Sequence, residues 1–389
     1  MKKRLAIITT HPIQYNAPFF NLLEQSNIVQ PKIFYTWGDA VLQSKYDPGF
    51  NTTIEWDIPL LEGYEYEFPE NVAKDKGSHH FNGIINPGMI RTIEAWQPDA
   101  ILVYGWKFQS HLSAIRYFKG KIPVWFRGDS TLLDEKPGVK NSIKTLLLKW
   151  VYGHTDLAFY TGTNNKNYFL KYGINDRQLV KASHAVDNER FANTHGRYTT
   201  EAATLKKKLN IDKDAPVFLF AGKLSPKKGV GTLFEAFKLM AKQNAHLLVI
   251  GNGEMESELK AKYGREAAVT FLDFQNQQLM PVIYCLGDVF VLPSVGPGES
   301  WGLAINEAMA AGKPVIASDK CGGAIDLITN GKNGYVVAAG NPGDLALKMT
   351  TMLEMKNDWD KFGAYSLEVI SKYTFMEFVK ALEKSIKGG

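Results

Sequence analysis

Two carboxylates stand eight residues apart in the run Glu299-Ser-Trp-Gly-Leu-Ala-Ile-Asn-Glu307. Pro293-Ser294 ends the apolar run Val289–Leu292, and Gly296-Pro297-Gly298 imposes an irregular turn before Glu299. Leu303 to Ala311 is rich in strong helix formers and closed by Gly312 and Pro314, which predicts a helix. A helix leaves its first backbone N–H groups unpaired, so the amides of Ser300, Trp301, Gly302 and Leu303 suit a phosphate. Glu299 then stands in the loop beside that anion, and Glu307 lies more than one turn into the helix. A ligand with an anionic centre and hydroxyl-rich groups on both sides fits this layout, and a nucleotide-sugar is one. The plainer alternative is a capping carboxylate with an unrelated surface glutamate.

A second stretch, Phe218-Leu-Phe-Ala-Gly-Lys-Leu-Ser-Pro-Lys-Lys-Gly229, runs from an apolar strand through Gly222 into a basic loop and a helix near Val230. Lys223 and Lys228 sit five residues apart on that loop, and Lys227 reads as solvated. Point charges on flexible stems can neutralise a diphosphate leaving group without a metal ion. Gly251-Asn-Gly-Glu254 follows a further strand and brings backbone amides near a nucleotide, or is a plain tight turn. Phe274 follows the strand Val269–Leu272 and either stacks on a base or packs in the core.

Both stretches resemble the donor-site signature of the retaining glycosyltransferases of family 4, group 1 glycosyl transferases with the two-domain GT-B fold. The resemblance implies that Glu299 contacts the transferred sugar, that the amides of Ser300 to Leu303 hold donor groups, and that Glu307 binds the ribose hydroxyls. It also implies that Lys223 and Lys228 bind the diphosphate and that the base sits near Phe274. Lys223 departs from the arginine more usual at its position, so charge is kept but the bidentate fork is lost.

In the amino-terminal half, Thr10-His-Pro-Ile-Gln-Tyr-Asn16 follows the first strand, where a Rossmann-type sheet opens its ligand loop. The loop has no glycine, so it cannot be the usual phosphate cradle; His11, Gln14, Tyr15 and Asn16 instead offer hydroxyl-binding groups for an acceptor. It is similar to the opening of a subset of these transferases. Arg127-Gly-Asp129 follows the strand Val124–Phe126, where the family often has a histidine; Arg127 is read as stabilising departing phosphate or binding an acidic acceptor, and Asp129 as accepting the acceptor's proton. His111, at a predicted helix start, is a further acceptor-side candidate. Asp187 and Phe191 resemble the family's Val-Asp-x-x-x-Phe turn and are read as structural.

Short apolar strands alternate with helical stretches throughout, the pattern of parallel α/β sheets. The expectation is an α/β GT-B protein with two Rossmann-like doubly wound domains facing across a cleft. Residues 1–195 form the acceptor domain, 196–372 the nucleotide-sugar domain, and 373–389 a helix that returns to the first domain. The polar stretch Thr194–Lys208 marks the boundary.

The 389 residues are 45% hydrophobic, enough for two sizeable cores. Two cysteines exclude a disulfide framework, and no apolar run approaches the roughly eighteen residues of a membrane span. With no signal peptide read at the start, a cytoplasmic protein is expected, peripheral at a membrane if anything. The net charge of +5 is mild and permits contact with acidic lipid or polyanions without arguing for either; no nucleic-acid partner is expected. No metal site or cofactor is expected: Asp212-Lys-Asp214 has a lysine between its carboxylates, and no His/Cys cluster shows ligand spacing. Val139, Ile143, Leu146, Leu147, Trp150 and Val151 follow helical spacing with Lys140 and Lys144 opposite, which fits either packing on the sheet or docking on an anionic membrane.

The activity these readings support is metal-independent, retaining transfer of a hexose-type sugar from a nucleoside-diphosphate sugar to a glycan or lipid-linked acceptor in cell-surface assembly. The alternatives are another GT-B enzyme, such as a sugar-nucleotide epimerase acting by elimination, and a non-catalytic nucleotide-sugar-binding subunit.

Overall fold

The structure, a computed structural model, describes residues 1–39, 45–47, 50, 52–136, 138–193, 196–240 and 244–388, without the side chains of 45–47, 53, 54, 139 and 140. Two compact units emerge. The first comprises Met1–Ser44, Pro59–Ser183 and Phe375–Gly389; the second comprises Lys45–Ile58 and His184–Thr374.

In chain order the elements begin with β1 (Lys3–Thr9), α1 (Ala17–Glu24) and β2 (Val29–Tyr35), followed by the hairpin β3 (Lys45–Asp47) and β4 (Thr52–Ile54) of the second unit. The first unit continues with β5 (Glu65–Glu67), α2 (Met89–Trp96), β6 (Ala100–Tyr104), α3 (Gln109–Phe118), β7 (Val124–Arg127), α4 (Val139–Tyr152), β8 (Leu157–Tyr160), α5 (Thr163–Lys171) and β9 (Leu179–Lys181). The second unit runs through α6 (Asn188–Phe191), α7 (Arg197–Lys208), β10 (Val217–Ala221), α8 (Val230–Leu239), β11 (His246–Ile250), α9 (Glu256–Tyr263), β12 (Val269–Leu272) and α10 (Met280–Leu286). It closes with β13 (Val289–Leu292), α11 (Leu303–Ala310), β14 (Val315–Ser318), α12 (Ala324–Leu327), β15 (Gly334–Val337), α13 (Pro342–Glu354) and α14 (Trp359–Ile370). The final helix, α15 (Phe375–Gly388), belongs to the first unit.

The first unit's sheet has seven strands in the order β5-β2-β1-β6-β7-β8-β9, and the second unit's has six in the order β12-β11-β10-β13-β14-β15. β1 pairs in parallel with β2 and β6, and β10 with β11 and β13. Successive side chains alternate faces, so Leu5 and Ile7 enter one buried layer while Ala6 and Ile8 enter the other. Phe19 and Phe20 of α1 and Phe378, Val379 and Leu382 of α15 cover the first layer, with Phe19 stacked on Phe378 at 4.4 Å. Ile93, Ile115, Val151 and Phe169, one from each of α2, α3, α4 and α5, cover the other. Both faces being covered explains why the strands read as continuous apolar runs. In the second unit Phe234 of α8 stacks on Tyr263 of α9 at 4.3 Å, closing one side over the β11–β12 edge.

The division of the chain departs from 195/196 in two places. Positions 194 and 195 lie outside the described residues, and the units part at Ser183/His184 because the following turn packs into the second unit. Phe191 is fully buried against Tyr284, with rings 5.7 Å apart, and Asp187 caps α6 by accepting from the Arg190 amide at 3.1 Å. The polar run read as a boundary is mostly the helix α7, which packs on α10 and whose one buried residue is the small Ala202. The hairpin β3–β4 also groups with the second unit: the Gln278 amide donates to the Asp57 carboxylate at 3.1 Å, and Phe50 meets Phe274 edge-on at 4.8 Å.

Candidate functional site

In each sheet the winding reverses beside the first strand, and there two neighbouring loops diverge to opposite faces, leaving a ligand-accessible crevice. In the second unit those are the loops after β10 and β13. They carry Lys223, Lys228 and Glu299.

The Lys228 ammonium donates to Glu299 Oε2, and Ser294 Oγ donates to the same oxygen at 2.9 Å. Ser294 is fully buried and is fixed in turn by Ser318 Oγ, which donates to its carbonyl. Glu299 is thus oriented by a serine at the strand end and a lysine from the next loop. The backbone completes the frame: Gly322 N donates to Glu299 O at 2.9 Å, and a Cβ on Gly322 would stand 1.8 Å from Ser300 O. The Gly322-Gly323 pair is therefore what lets the turn after β14 lie against the Glu299 loop.

Gly302, at φ 92°, caps α11, whose first amides are those of Leu303 and Ala304. The Trp301 side chain is buried away from this terminus, donating Nε1–H to Asn306 Oδ1 at 2.8 Å, while Asn306 Nδ2 donates to His184 O at 3.1 Å. Glu307 is buried one turn along and accepts from Tyr284 OH at 2.7 Å. Lys227 is exposed, whereas Lys228 is partly covered. Cys321 lies buried beneath the same loops, and burial pushes its thiol up to about 12, which leaves it inert.

Gly251 supplies close backbone approach of another kind: its Cβ would lie 2.1 Å from Gly222 O. The two loops are bonded through Gly222 N to Ile250 O and Leu224 N to Asn252 O, each at 2.9 Å. Asn252 Oδ1 also accepts from the Phe274 amide at 2.6 Å. Phe274 stands in a ring cluster with Phe50 and Trp56, and the Lys223 ammonium lies 4.8 Å from the Phe50 ring centre.

In the first unit the loop after β1 holds His11, Gln14, Tyr15 and Asn16, all half-buried. His11 Nδ1 lies 2.9 Å from Thr10 Oγ1, and its ring meets Trp37 edge-on at 5.1 Å. Asp129 is exposed just past β7. Two other candidates are corrected. His111 is fully buried, its Nδ1 facing the carbonyls of Tyr104 and Gly105 at 3.1 and 3.0 Å and its Nε2 facing Thr36 Oγ1 at 2.8 Å. Burial pushes its pKa down to about 4, and it is a satisfied core histidine. Arg127 is also buried: it donates Nη1–H to Ala182 O at 2.7 Å and lies 4.2 Å from the Phe378 ring, so it ties α15 to the sheet. A broad cavity lined by Lys3, Asp99, Lys121, Asp156 and Lys384 opens at the other end of the strands, the amino ends, where parallel sheets do not place ligand loops.

Sequence reasoning missed the residues that hold the named ones, namely Ser294, Tyr284, Asn306 and Asn252. Pro293-Ser294 at a strand end was the one local signal. It also missed a group in the first unit, where Asp75, His79 and His80 bring three ligand atoms within 4.8 Å of one another, although their spacing matches no standard ligand pattern.

Residues 201–369 match the family described as Glycosyl transferases group 1. The match falls within the second unit, which is thus similar to a group 1 glycosyl transferase domain. An uncharacterized glycosyltransferase of Methanocaldococcus jannaschii is 31% identical over 199 residues, 47% of this chain and 50% of that protein. The lipopolysaccharide 1,2-N-acetylglucosaminetransferase of Salmonella typhimurium is 30% identical over 234 residues, 56% of this chain and 60% of that protein. The chain thus spans about half the length of such relatives. Over its whole length it has the fold of a Rickettsia africae glycosyltransferase (TM-score 0.74, 15% identity, 100% of this chain and 98% of that one). It equally matches Anabaena HepE, solved with UDP and glucose (TM-score 0.71, 17% identity, all of both chains). The two parallel-sheet units are those of a GT-B protein. Among the described residues no helix is long and apolar enough to cross a membrane.

Proposed function

We propose that the protein transfers a hexose-type sugar from a nucleoside-diphosphate sugar to a hydroxyl of a glycan or lipid-linked acceptor, with retention and without a metal ion at the reacting centre. The observation that carries this reading is the meeting of Lys228 and Glu299 at the switch point of the second sheet, beside the start of α11. A diphosphate entering there displaces the carboxylate from the ammonium and takes up the amides of Gly302 and Leu303. Glu299, still held by Ser294, is then available to the hydroxyls of the sugar. Glu307, fixed by Tyr284, serves the ribose, and Lys223 neutralises the second phosphate.

In the transfer step the bond from the anomeric carbon to the diphosphate oxygen breaks with the electron pair leaving on oxygen. The acceptor oxygen attacks the same face and loses its proton. Asp129, exposed beyond β7, is the group assigned to receive it, and His11, Gln14, Tyr15 and Asn16 form the acceptor side. The Salmonella relative's lipopolysaccharide substrate supports a cell-surface glycan or glycolipid as acceptor. The apolar stripe of α4 supports a site of work at the inner face of a membrane.

The test is calorimetric titration with UDP, GDP and ADP and their sugar conjugates in excess chelator, on the wild type and Lys228→Ala. Tight binding of one nucleotide that collapses in the variant is expected. Absence of binding below the millimolar range removes the donor assignment. Transfer assayed with an acceptor separates the reading from its rivals: an epimerase releases nucleoside diphosphate without acceptor, and a binding subunit shows no turnover. The anomeric configuration of the product, read by NMR, tests retention.

A further inference from the structure

Between Asn71 and Asn86 the first unit carries a loop tied at its neck and polar at its tip. Asn71 Oδ1 accepts from the Ala73 and Ile85 amides at 3.1 and 3.0 Å, and its Nδ2 donates to Gly83 O at 3.0 Å. Asn86 Nδ2 donates to Thr36 O and Pro69 O, both at 3.0 Å. Inside the neck, Gly77 N donates to Gly83 O at 3.1 Å, so the segment that holds the tip is a closed turn.

At the tip His79 Nε2 lies 3.0 Å and His80 Nε2 3.2 Å from the same oxygen, Asp75 Oδ2. The Asp75 carbonyl also lies 3.0 Å from His80 Nε2. Four-coordinate Zn²⁺ with bonds of about 2.0–2.1 Å separates its ligands by roughly 3.3 Å; the two nitrogen-to-carboxylate separations are close to that, and all three ligand atoms lie within 4.8 Å of one another. Two imidazoles and one carboxylate are the donor set of many open zinc sites, borderline rather than hard, and unsuited to Mg²⁺ or Ca²⁺. All three side chains are solvent-accessible, so an ion reaches them without opening the fold.

We propose that Asp75, His79 and His80 bind one divalent transition-metal ion, Zn²⁺ before the others, as a brace for the 71–86 loop. The two histidines and the carboxylate supply three ligands, and water completes the shell. The brace acts on the acceptor side of the unit, because Asn71 Nδ2 also reaches Trp37 O at 3.3 Å and Trp37 is the ring that His11 abuts. Lys74 and Lys76 flank the tip and oppose a dication, which weakens its binding. This ion has no part in the transfer step, and the inference stands whether or not the donor assignment does.

The test titrates untagged, full-length, chelator-stripped protein with Zn²⁺ by calorimetry and with Co²⁺ by visible absorption. Hydrogen exchange of residues 71–86 is followed with and without Zn²⁺. One equivalent bound is expected, with slower exchange in the loop and a tetrahedral Co²⁺ spectrum. Affinity should fall by at least ~10-fold, the cost even of losing an outer-shell partner, in both His79→Ala and His80→Ala. These exposed positions permit substitution without unfolding, checked by unchanged melting in chelator. Absence of binding at a hundredfold excess would overturn the proposal and leave the cluster as hydrogen-bonded histidines. Binding that persists undiminished in both variants would overturn it too, because the ion then sits elsewhere.

Discussion

The loops after β10 and β13 and the residues around β6 and β7 hold comparable polar groups just past parallel strands, yet they do different things. In the second unit Lys228 and Glu299 stand on loops and engage one another, a pairing that an incoming anion can exchange. In the first unit Arg127 and His111 are buried: Arg127 gives an N–H to the Ala182 carbonyl and lies on the Phe378 ring, and His111 Nδ1 faces the carbonyls of Tyr104 and Gly105. Residue type and proximity to a strand end are the same in both places. Burial separates them: a polar group already satisfied in the core has no capacity left for a ligand.

The sharpest way to break that comparison is Lys228→Ala. The substitution should cost about 3 kcal/mol of transition-state stabilisation, a fall in kcat/KM of roughly 10²-fold, as for loss of one preorganised charge. Melting should barely move, because the lysine is partly exposed and its partner Glu299 keeps Ser294. Glu299→Gln goes the other way on binding: with the carboxylate charge removed, nucleoside diphosphate should bind at least as tightly while transfer falls roughly 10²-fold. Loss of diphosphate affinity in Glu299→Gln would mean that the carboxylate organises the phosphate site rather than the sugar.

His111 supplies the contrasting result. Its folded pKa, about 4, lies below the ordinary value of 6.5, so the unfolded chain binds the extra proton first as pH falls. The sign follows: the contribution is fully present above about 6.5 and is lost between there and about 4, amounting to about 3 kcal/mol. Melting measured across that interval should fall more steeply for wild type than for His111→Gln, with nucleotide binding at pH 7.5 the same in both. Arg127→Ala should lower stability by about 2 kcal/mol, since it strands the Ala182 carbonyl and removes the contact with Phe378. Per folded molecule its donor affinity should be unchanged; a variant that melts normally but fails in transfer would restore Arg127 to the site.

These contrasts also show what was legible in the sequence. The central strands could be read because strands covered on both faces are continuous apolar runs. The edge strands β5 and β9 could not, at three residues each, too short to display a period. The loops after β10 and β13 were legible because their polar groups are contiguous along the chain and follow strand ends. Tyr284 was not, since its partner Glu307 is 23 residues away, and Ser294 reads only as the end of a strand until the turn that follows brings Glu299 back to it. His111 and Arg127 were misread because a single sequence shows a side chain's chemistry without showing whether its donors are already used.

The smallest expected effect on stability concerns α4, where spacing alone left two faces to choose between. Leu148 and Val151 face the sheet and are buried. Ile143, Leu146, Leu147 and Trp150, at positions i, i+3, i+4 and i+7, are 65, 72, 44 and 44% exposed. Of the two readings, packing of that whole stripe on the sheet is set aside: Val151 alone of its described members turns inward, and the side chains of Val139 and Lys140 lie outside the described residues. The Arg116 guanidinium lies 5.4 Å from the Trp150 ring, and Lys149 is exposed beside it, so the apolar face carries a cationic rim. Such a face suits an anionic bilayer better than a second copy of itself, whose like charges would meet at the rim. The double variant Ile143→Asp with Leu146→Asp should melt within about 0.5 kcal/mol of wild type, as exposed substitutions do. It should also keep nucleotide affinity, while cosedimentation with phosphatidylglycerol vesicles falls at least ~10-fold. Equal sedimentation of both proteins would remove the membrane reading. A wild type that self-associates where the variant stays monomeric would instead assign the stripe to a partner copy.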